Sequence, residues 1–148
     1  MRINTRFTVA VHILALIALN DADPATSKMM AMSVGNHPVA VRQVMSSLKK
    51  AGLIITQNGL PGGQLAKPQE EISLCEVYQA VKKSNESALF DFHPNPNPQC
   101  PVGCNIKAAL NPPLIHAQRA MENALKAYTL KDITAYISEK HAEENENH

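Results

Sequence analysis

Residues 26–67 read TSKMMAMSVGNHPVAVRQVMSSLKKAGLIITQNGLPGGQLAK, and the order of signals within them decides the fold. Thr26 can cap a short helix that runs through Val34, with Gly35 as its left-handed stop. Asn36 or His37 can cap the next helix, with Pro38 in its first turn, where the missing N–H is harmless. That helix extends to Ala51 and ends at Gly52. Val41, Val44, Met45 and Leu48 fall on one face of it. Arg42, Gln43, Ser46, Ser47, Lys49 and Lys50 fall on the other, and these side chains can bond to bases and phosphates. Helix, glycine turn and helix form a helix-turn-helix, whose second member is suited to a major groove. Leu53–Gln57 is rich in β-branched residues, Asn58–Gly63 is turn chemistry, and Gln64–Lys67 returns before Pro68. The expected fold class is therefore mostly α with a small β-hairpin wing: a winged helix-turn-helix.

Charge supports the same reading. Residues 24–69 carry five basic side chains (Lys28, Arg42, Lys49, Lys50, Lys67) and no acid. Residues 1–69 have a net charge of +5 and residues 70–148 a net charge of −4, in a chain of net charge +1. Such polarity suits one face that meets a polyanion, although a solvated basic face without a partner fits the charge alone.

At 148 residues and 45% hydrophobic the chain can bury one sizeable core. Thr5–Asn20 reads as a first helix with Phe7, Val11, Leu14, Ala15 and Ala18 on one face, stopped by Asn20, Asp21 and Pro24. Val9–Leu19 is too short to span a bilayer, and no signal-peptide pattern stands out, so a cytoplasmic protein with no membrane partner is expected. Met29, Met30 and Met32 read as core fillers. Ser73 can cap a helix over Leu74–Lys82, with Glu76 at capping-box spacing. Pro94, Pro96 and Pro98 mark a loop. Pro101 can open a helix that Asn111-Pro112-Pro113 should break or kink, and from Leu114 onward Ala117, Met121, Ala124 or Leu125, and Tyr128 form one stripe. Thr129 caps a last helix over Leu130–Ile137. The expected organisation is a DNA-binding domain over 1–82, a proline-rich loop over 83–100, dimerisation helices over 101–137 and a frayed polar tail over 138–148.

The chain resembles the IscR/NsrR/CymR-type (Rrf-two) family of bacterial winged-helix transcriptional regulators. The match rests on Met1-Arg2-Ile3-Asn4-Thr5-Arg6, Leu48-Lys49-Lys50-Ala51-Gly52-Leu53-Ile54, the wing glycines Gly59, Gly62 and Gly63, Leu65-Ala66-Lys67-Pro68, the run Ile72–Val81, and Thr129-Leu130-Lys131-Asp132. It implies a homodimer paired through the long helix, at Leu114, Ala117, Met121 and Leu125, that binds double-stranded DNA at a pseudo-palindromic operator. The family wing usually has Arg before its first glycine, Pro after it and a later Tyr. Asn58, Leu60 and Gln64 stand there in this chain. The DNA-contact candidates are Arg42 and Gln43 for base edges, Asn4, Arg6, Lys28, Lys49 and Lys50 for phosphates, and Ser46, Gln57 and Asn58 beside them.

Three cysteines, an odd number, argue against a disulfide framework. Cluster-binding relatives carry three cysteines in the loop before the long helix, whereas this loop has only Cys100 and Cys104. No cofactor is therefore expected; an iron–sulfur cluster lacks its third thiolate, and His93 with Cys100 and Cys104 is at most a weak metal set. A redox pair has a better physical basis, because Cys100 before a helix start would be a stabilised thiolate that Cys104 could resolve. The competing reading makes both thiols small fillers at a dimer seam. Cys75 reads as a buried structural thiol. No nucleophile–base set or phosphate loop suggests an enzyme. The function read from sequence is a DNA-binding regulator, repressing and thiol- or ligand-responsive; the alternative is a winged-helix module that binds a protein partner without DNA.

Overall fold

The computed structural model describes residues 3–20, 25–82 and 89–147. The expected helix stop at Asp21 and Pro24, the start of the 83–100 loop and the opening Met1-Arg2 lie outside the described residues. Among the described residues six helices and one hairpin follow in the order α1 (Ile3–Leu19), α2 (Ser27–Val34), α3 (Pro38–Lys50), β1 (Ile54–Ile55), β2 (Gln64–Leu65), α4 (Leu74–Val81), α5 (Ile106–Lys126) and α6 (Leu130–Glu146). A single 3₁₀ turn, Gln69–Glu71, joins the hairpin to α4.

The core forms around α1. Val9, Ala10, Ile13, Leu14, Ala15 and Ile17 are buried, so the helix has no single apolar stripe. The expected face is too narrow: Leu14 and Ala15 are buried, but Phe7, Val11 and Ala18 are only half-buried. A wide buried surface belongs to a helix enclosed by several neighbours, and α1 touches α2, α3, α4, α6 and β2.

The helix-turn-helix forms as its capping residues dictate. Thr26 Oγ1 accepts from Met29 N at 3.2 Å, and Gly35, at φ 75°, donates to Ala31 O at 2.8 Å. Between the two possible caps of α3, His37 takes the role: its Nδ1 accepts from Val39 N at 3.2 Å. Val41, Val44, Met45 and Leu48 are buried as a face. The far end closes in a Schellman motif, with Leu53 N donating to Leu48 O and Gly52 N to Lys49 O, both at 3.0 Å, about a Gly52 at φ 77°. Of the three methionines read as core fillers only Met30 is buried; Met29 and Met32 face solvent on the other side of α2.

The wing is shorter than its β-branched sequence suggested. Only Ile54↔Leu65 and Ile55↔Gln64 pair, because the three glycines between them leave little strand to extend. Ser73 caps α4 through Glu76 N at 3.1 Å, while the Glu76 carboxylate turns away to Lys67 Nζ at 2.7 Å.

Beyond α4 three expectations need correction. Pro101 does not open a helix: residues 101–105 form turns, and Asn105 Nδ2 holds Pro101 O at 2.8 Å before α5 begins at Ile106. Asn111-Pro112-Pro113 does not split α5, which is continuous. Both prolines are exposed, and so are Ala108 and Ala109, whose carbonyls lose their helical donors to the missing N–H groups and can turn to water instead. Finally, residues 138–146 are helix and not a frayed tail, carried by local pairs such as Lys140–Glu143 at 3.1 Å and His141–Asn145 at 3.2 Å.

The start of α6 also belongs to the winged-helix body. Leu130 and Thr134 are buried, Thr134 Oγ1 donates to Gln69 Oε1, and Leu130 N bonds Ile72 O at 2.8 Å while Leu74 N bonds Tyr128 O at 2.9 Å. Helix α5 is thereby clamped to the winged helix at its C-terminal end. Among the described residues no helix is long and apolar enough to cross a membrane.

Candidate nucleic-acid interface

Burial of Val41, Val44, Met45 and Leu48 forces Arg42, Gln43, Ser46, Lys49 and Lys50 outward, and all five are exposed. A cleft of about 580 Å³ runs between the start of α2, the outer face of α3 and the wing. Lys28, Arg42, Ser46 and Lys49 line it together, so four of the residues singled out from sequence converge on one surface. Among the described residues none of these cations is paired with a carboxylate, whereas Lys67 of the same acid-free stretch reaches Glu76. Gln43, Lys50, Gln57 and Asn58 are exposed outside the cleft, and Gln57 borders a smaller cavity of about 200 Å³ under the wing tip.

Sequence reading missed Thr26, Ser27, Thr56, Leu60 and Pro61, which complete the cleft wall. Their only signal was their place at a cap and at a turn. One assigned contact is wrong. Arg6 is buried at 8% exposure, and its Nε donates to Val81 O at 3.1 Å, tying the start of α1 to the end of α4. It is a structural anchor, and the hydrogen bond to Val81 O helps offset the cost of burying its charge. Asn4 lies in α1 by its backbone, and its side chain is outside the described residues.

The cysteines separate as read for Cys75, which is buried on α4. Cys100 is half-buried and Cys104 exposed, in a loop that Asn97 organises: Asn97 Oδ1 accepts from Gln99 N at 2.9 Å and Asn97 O from Cys100 N at 3.2 Å. Gly103 is required there, since a Cβ would collide with Asn97 O. Hydrogen bonds from the Gly103 and Val102 N–H groups lower the Cys100 pKa below the ordinary thiol value. A turn therefore does what a helix start was expected to do. Cys104 Sγ instead lies 3.5 Å from Pro101 O and accepts from Asn105 Nδ2 at 3.3 Å.

Helix α5 has no fully buried residue. Glu122 faces α4, where Gln79 Nε2 donates to Glu122 Oε1 at 3.1 Å, and Gln118 Oε1 accepts from Leu89 N at 2.9 Å. Roughly a quarter-turn away, Leu110, Leu114, Ala117, Met121, Ala124 and Tyr128 repeat at alternating spacings of four and three residues, the a/d pattern of a coiled-coil seam. Leu114 and Met121 are half-buried and Ala117 exposed, while Leu125 sits one position off the seam, toward α4. Between α4 and α5 an open cleft of about 850 Å³ is lined by Cys75, Gln79, Glu122 and Lys126. Beside it burial, with Glu122 and Cys75 adding to it, raises the Tyr78 pKa and keeps its hydroxyl protonated.

Comparison with known proteins agrees with this geometry. The family profile of Rrf2, described as iron-dependent transcriptional regulator, matches residues 3–136. The chain is 46% identical over 135 residues to "Putative HTH-type transcriptional regulator YwnA" of Bacillus subtilis (strain 168), covering 91% of this chain and 98% of that one. A crystal structure described as "a putative DNA binding protein" is 42% identical with a TM-score of 0.71, covering 86% of this chain and 97% of that chain. IscR of T. potens shares the fold at 20% identity and a TM-score of 0.65, over 95% of this chain and 90% of its own.

The family description raises the question of bound iron, and the donors here do not fit it. Cys75 is buried in α4, Cys100 and Cys104 share one turn, and His93 lies in a separate cleft with Phe92, Ile106 and Lys107. Among the described residues no three His, Cys, Asp or Glu side chains are grouped to hold a metal ion. A basic recognition helix beside a wing, on a chain matched to these relatives over nearly all its length, places the protein in the Rrf2 family of non-enzymatic, DNA-binding transcriptional regulators.

Proposed function

We propose that the chain acts in the cytoplasm as a homodimeric repressor on a pseudo-palindromic operator, with Cys100 as its sensing thiol. The observation that carries the DNA half is the convergence of Lys28, Arg42, Ser46 and Lys49 on one carboxylate-free cleft. In a dimer joined along the α5 seam, two copies of α3 would enter successive major grooves about 34 Å apart. Arg42 and Gln43 then meet base edges, and Lys28, Lys49 and Lys50 meet phosphates, with Ser46, Gln57 and Asn58 beside them.

The sensing half rests on the loop. Peroxide would take the Cys100 thiolate to a sulfenic acid, releasing hydroxide, and attack by the Cys104 thiol would form the disulfide with loss of water. Forming that bond must pull Cys104 from Pro101 O and Asn105, at the start of α5. A 21-residue helix, roughly 30 Å long, would carry the change to the clamp at Tyr128–Leu130.

A genomic-library binding selection run with reduced and with peroxide-treated protein tests both halves. Reduced wild type should recover palindromic sites and oxidised protein should lose them, reversibly with dithiothreitol. The Cys100→Ser protein should keep them, and Cys75→Ser should respond as wild type does. Millimolar affinity for every duplex at low salt would return the chain to the protein-interaction reading. Indifference to oxidant would move the signal to a small ligand, with the cleft between α4 and α5 as its site.

A further inference from the structure

From Ala51 to Ala66 the chain has no charged side chain, and Lys67, the first cation beyond, is held by Glu76 at 2.7 Å. The wing thus has no charge to offer a phosphate. Its tip offers apolar surface instead: Leu60 is 62% exposed. The tip is also well defined. Leu60 N donates to Gln57 O at 3.2 Å, and Gly59, at φ 81°, supplies the positive φ that a type II turn needs at its third residue. Behind it Gly63 lets the strands close, since a Cβ there would come within 3.2 Å of Ile55 O. Pro61 stiffens the next position.

This apolar tip is continuous with the DNA-binding face. Leu60, Pro61 and Gly62 line the same cleft as Arg42, Ser46 and Lys49. A rigid leucine–proline apex beside a recognition helix has the chemistry of side chains that wedge between base steps from the minor groove. We infer that Leu60 and Pro61 form an apolar wedge that enters the minor groove next to the recognition helix and partly unstacks one base step. The wing then selects sequence through the ease of deforming DNA, favouring flexible pyrimidine–purine steps, and adds nothing to counterion release. The exposed amides of Gln57 and Asn58 flank the wedge and can read the A·T pattern of the groove floor. This inference rests on the DNA-binding reading of the cleft.

The test uses a duplex selected by the wild-type protein from a randomised library. Affinity is measured across a salt series, bending by energy transfer between end labels, and unstacking by 2-aminopurine at the wing-facing step. Leu60→Ala should weaken binding about tenfold, leave the salt slope unchanged, straighten the duplex and abolish the 2-aminopurine signal. Leu60→Phe should keep the bend. Leu60→Arg should recover affinity by another route, with a slope steeper by about one unit. A Leu60→Ala protein that binds and bends the duplex like wild type overturns the wedge, as does one altered only in self-association. Wild type that selects no duplex at all overturns the DNA reading beneath it.

Discussion

The winged-helix body and helix α5 are opposites in how they bury apolar surface. Residues of α1 to α4, joined by Leu130 of α6, enclose one another in a continuous core in which Ile13, Leu14, Leu48, Ile72 and Val77 are fully covered. Helix α5 is longer than any of them and buries no residue completely. A helix gains most of its stability from a packed face; the body has its own core, whereas α5 has an a/d seam that the proposed dimer would cover. A DNA-reading unit with its own core carries a helix whose company is the proposed second copy.

The largest effect should come from breaking that company. Met121→Glu places a carboxylate in the middle of the seam. By analytical ultracentrifugation the protein should become a monomer, and operator affinity should fall by about 100-fold or more as the two half-sites lose their linkage. The melting temperature of the winged-helix body should change little. A mutant that still sediments as a dimer would move the interface elsewhere.

Damage inside the body should have the reverse signature. Leu48→Ala removes a fully buried side chain and should cost about 3 kcal/mol in denaturant unfolding, whatever the oligomeric state. Next come two basic residues that look alike in sequence and differ in place. Arg6→Met should destabilise the fold by about 2 kcal/mol, through loss of a buried charged hydrogen bond, and leave the salt slope untouched. Lys49→Gln should leave stability unchanged and flatten the slope of log affinity against log salt by about one unit. An Arg6 variant with full stability and a flattened slope would restore it to the DNA face.

The smallest effect is a matter of pH. The N–H groups of Gly103 and Val102 lower the Cys100 pKa, so its folded value lies below the unfolded one. The associated stabilisation is present above the unfolded thiol pKa and is lost as pH falls through the lower folded value. Alkylation at Cys100 should accordingly persist to lower pH than for the same protein in denaturant. Coincident pH profiles would leave the loop without a sensing thiol.

Helix starts and stops are legible in the sequence because they depend on a few neighbouring residues. Thr26, Pro38, Gly35, Gly52 and Ser73 each satisfy or terminate a backbone hydrogen-bond ladder locally, and each does so where its type requires. The acid-free stretch likewise means that Arg42 and Lys49 have no carboxylate among their sequence neighbours. Local signals mislead where nearby side chains compete with the helix ladder. Pro101 looks like a helix start, but Asn105 Nδ2 takes the Pro101 carbonyl and Asn97 O takes Cys100 N, so the segment is held as turns.

Sequence by itself determined the helices of residues 26–82, the polarity of α3 and the absence of charge from the wing, since all three follow from residue type and spacing. Tertiary structure alone decided that Arg6 turns inward to Val81 O and that Leu60 joins Arg42 and Lys49 on one cleft. Each of these depends on where an element comes to rest against another part of the chain. That placement is fixed by the burial of α1 among its neighbours, which is not written in any local stretch.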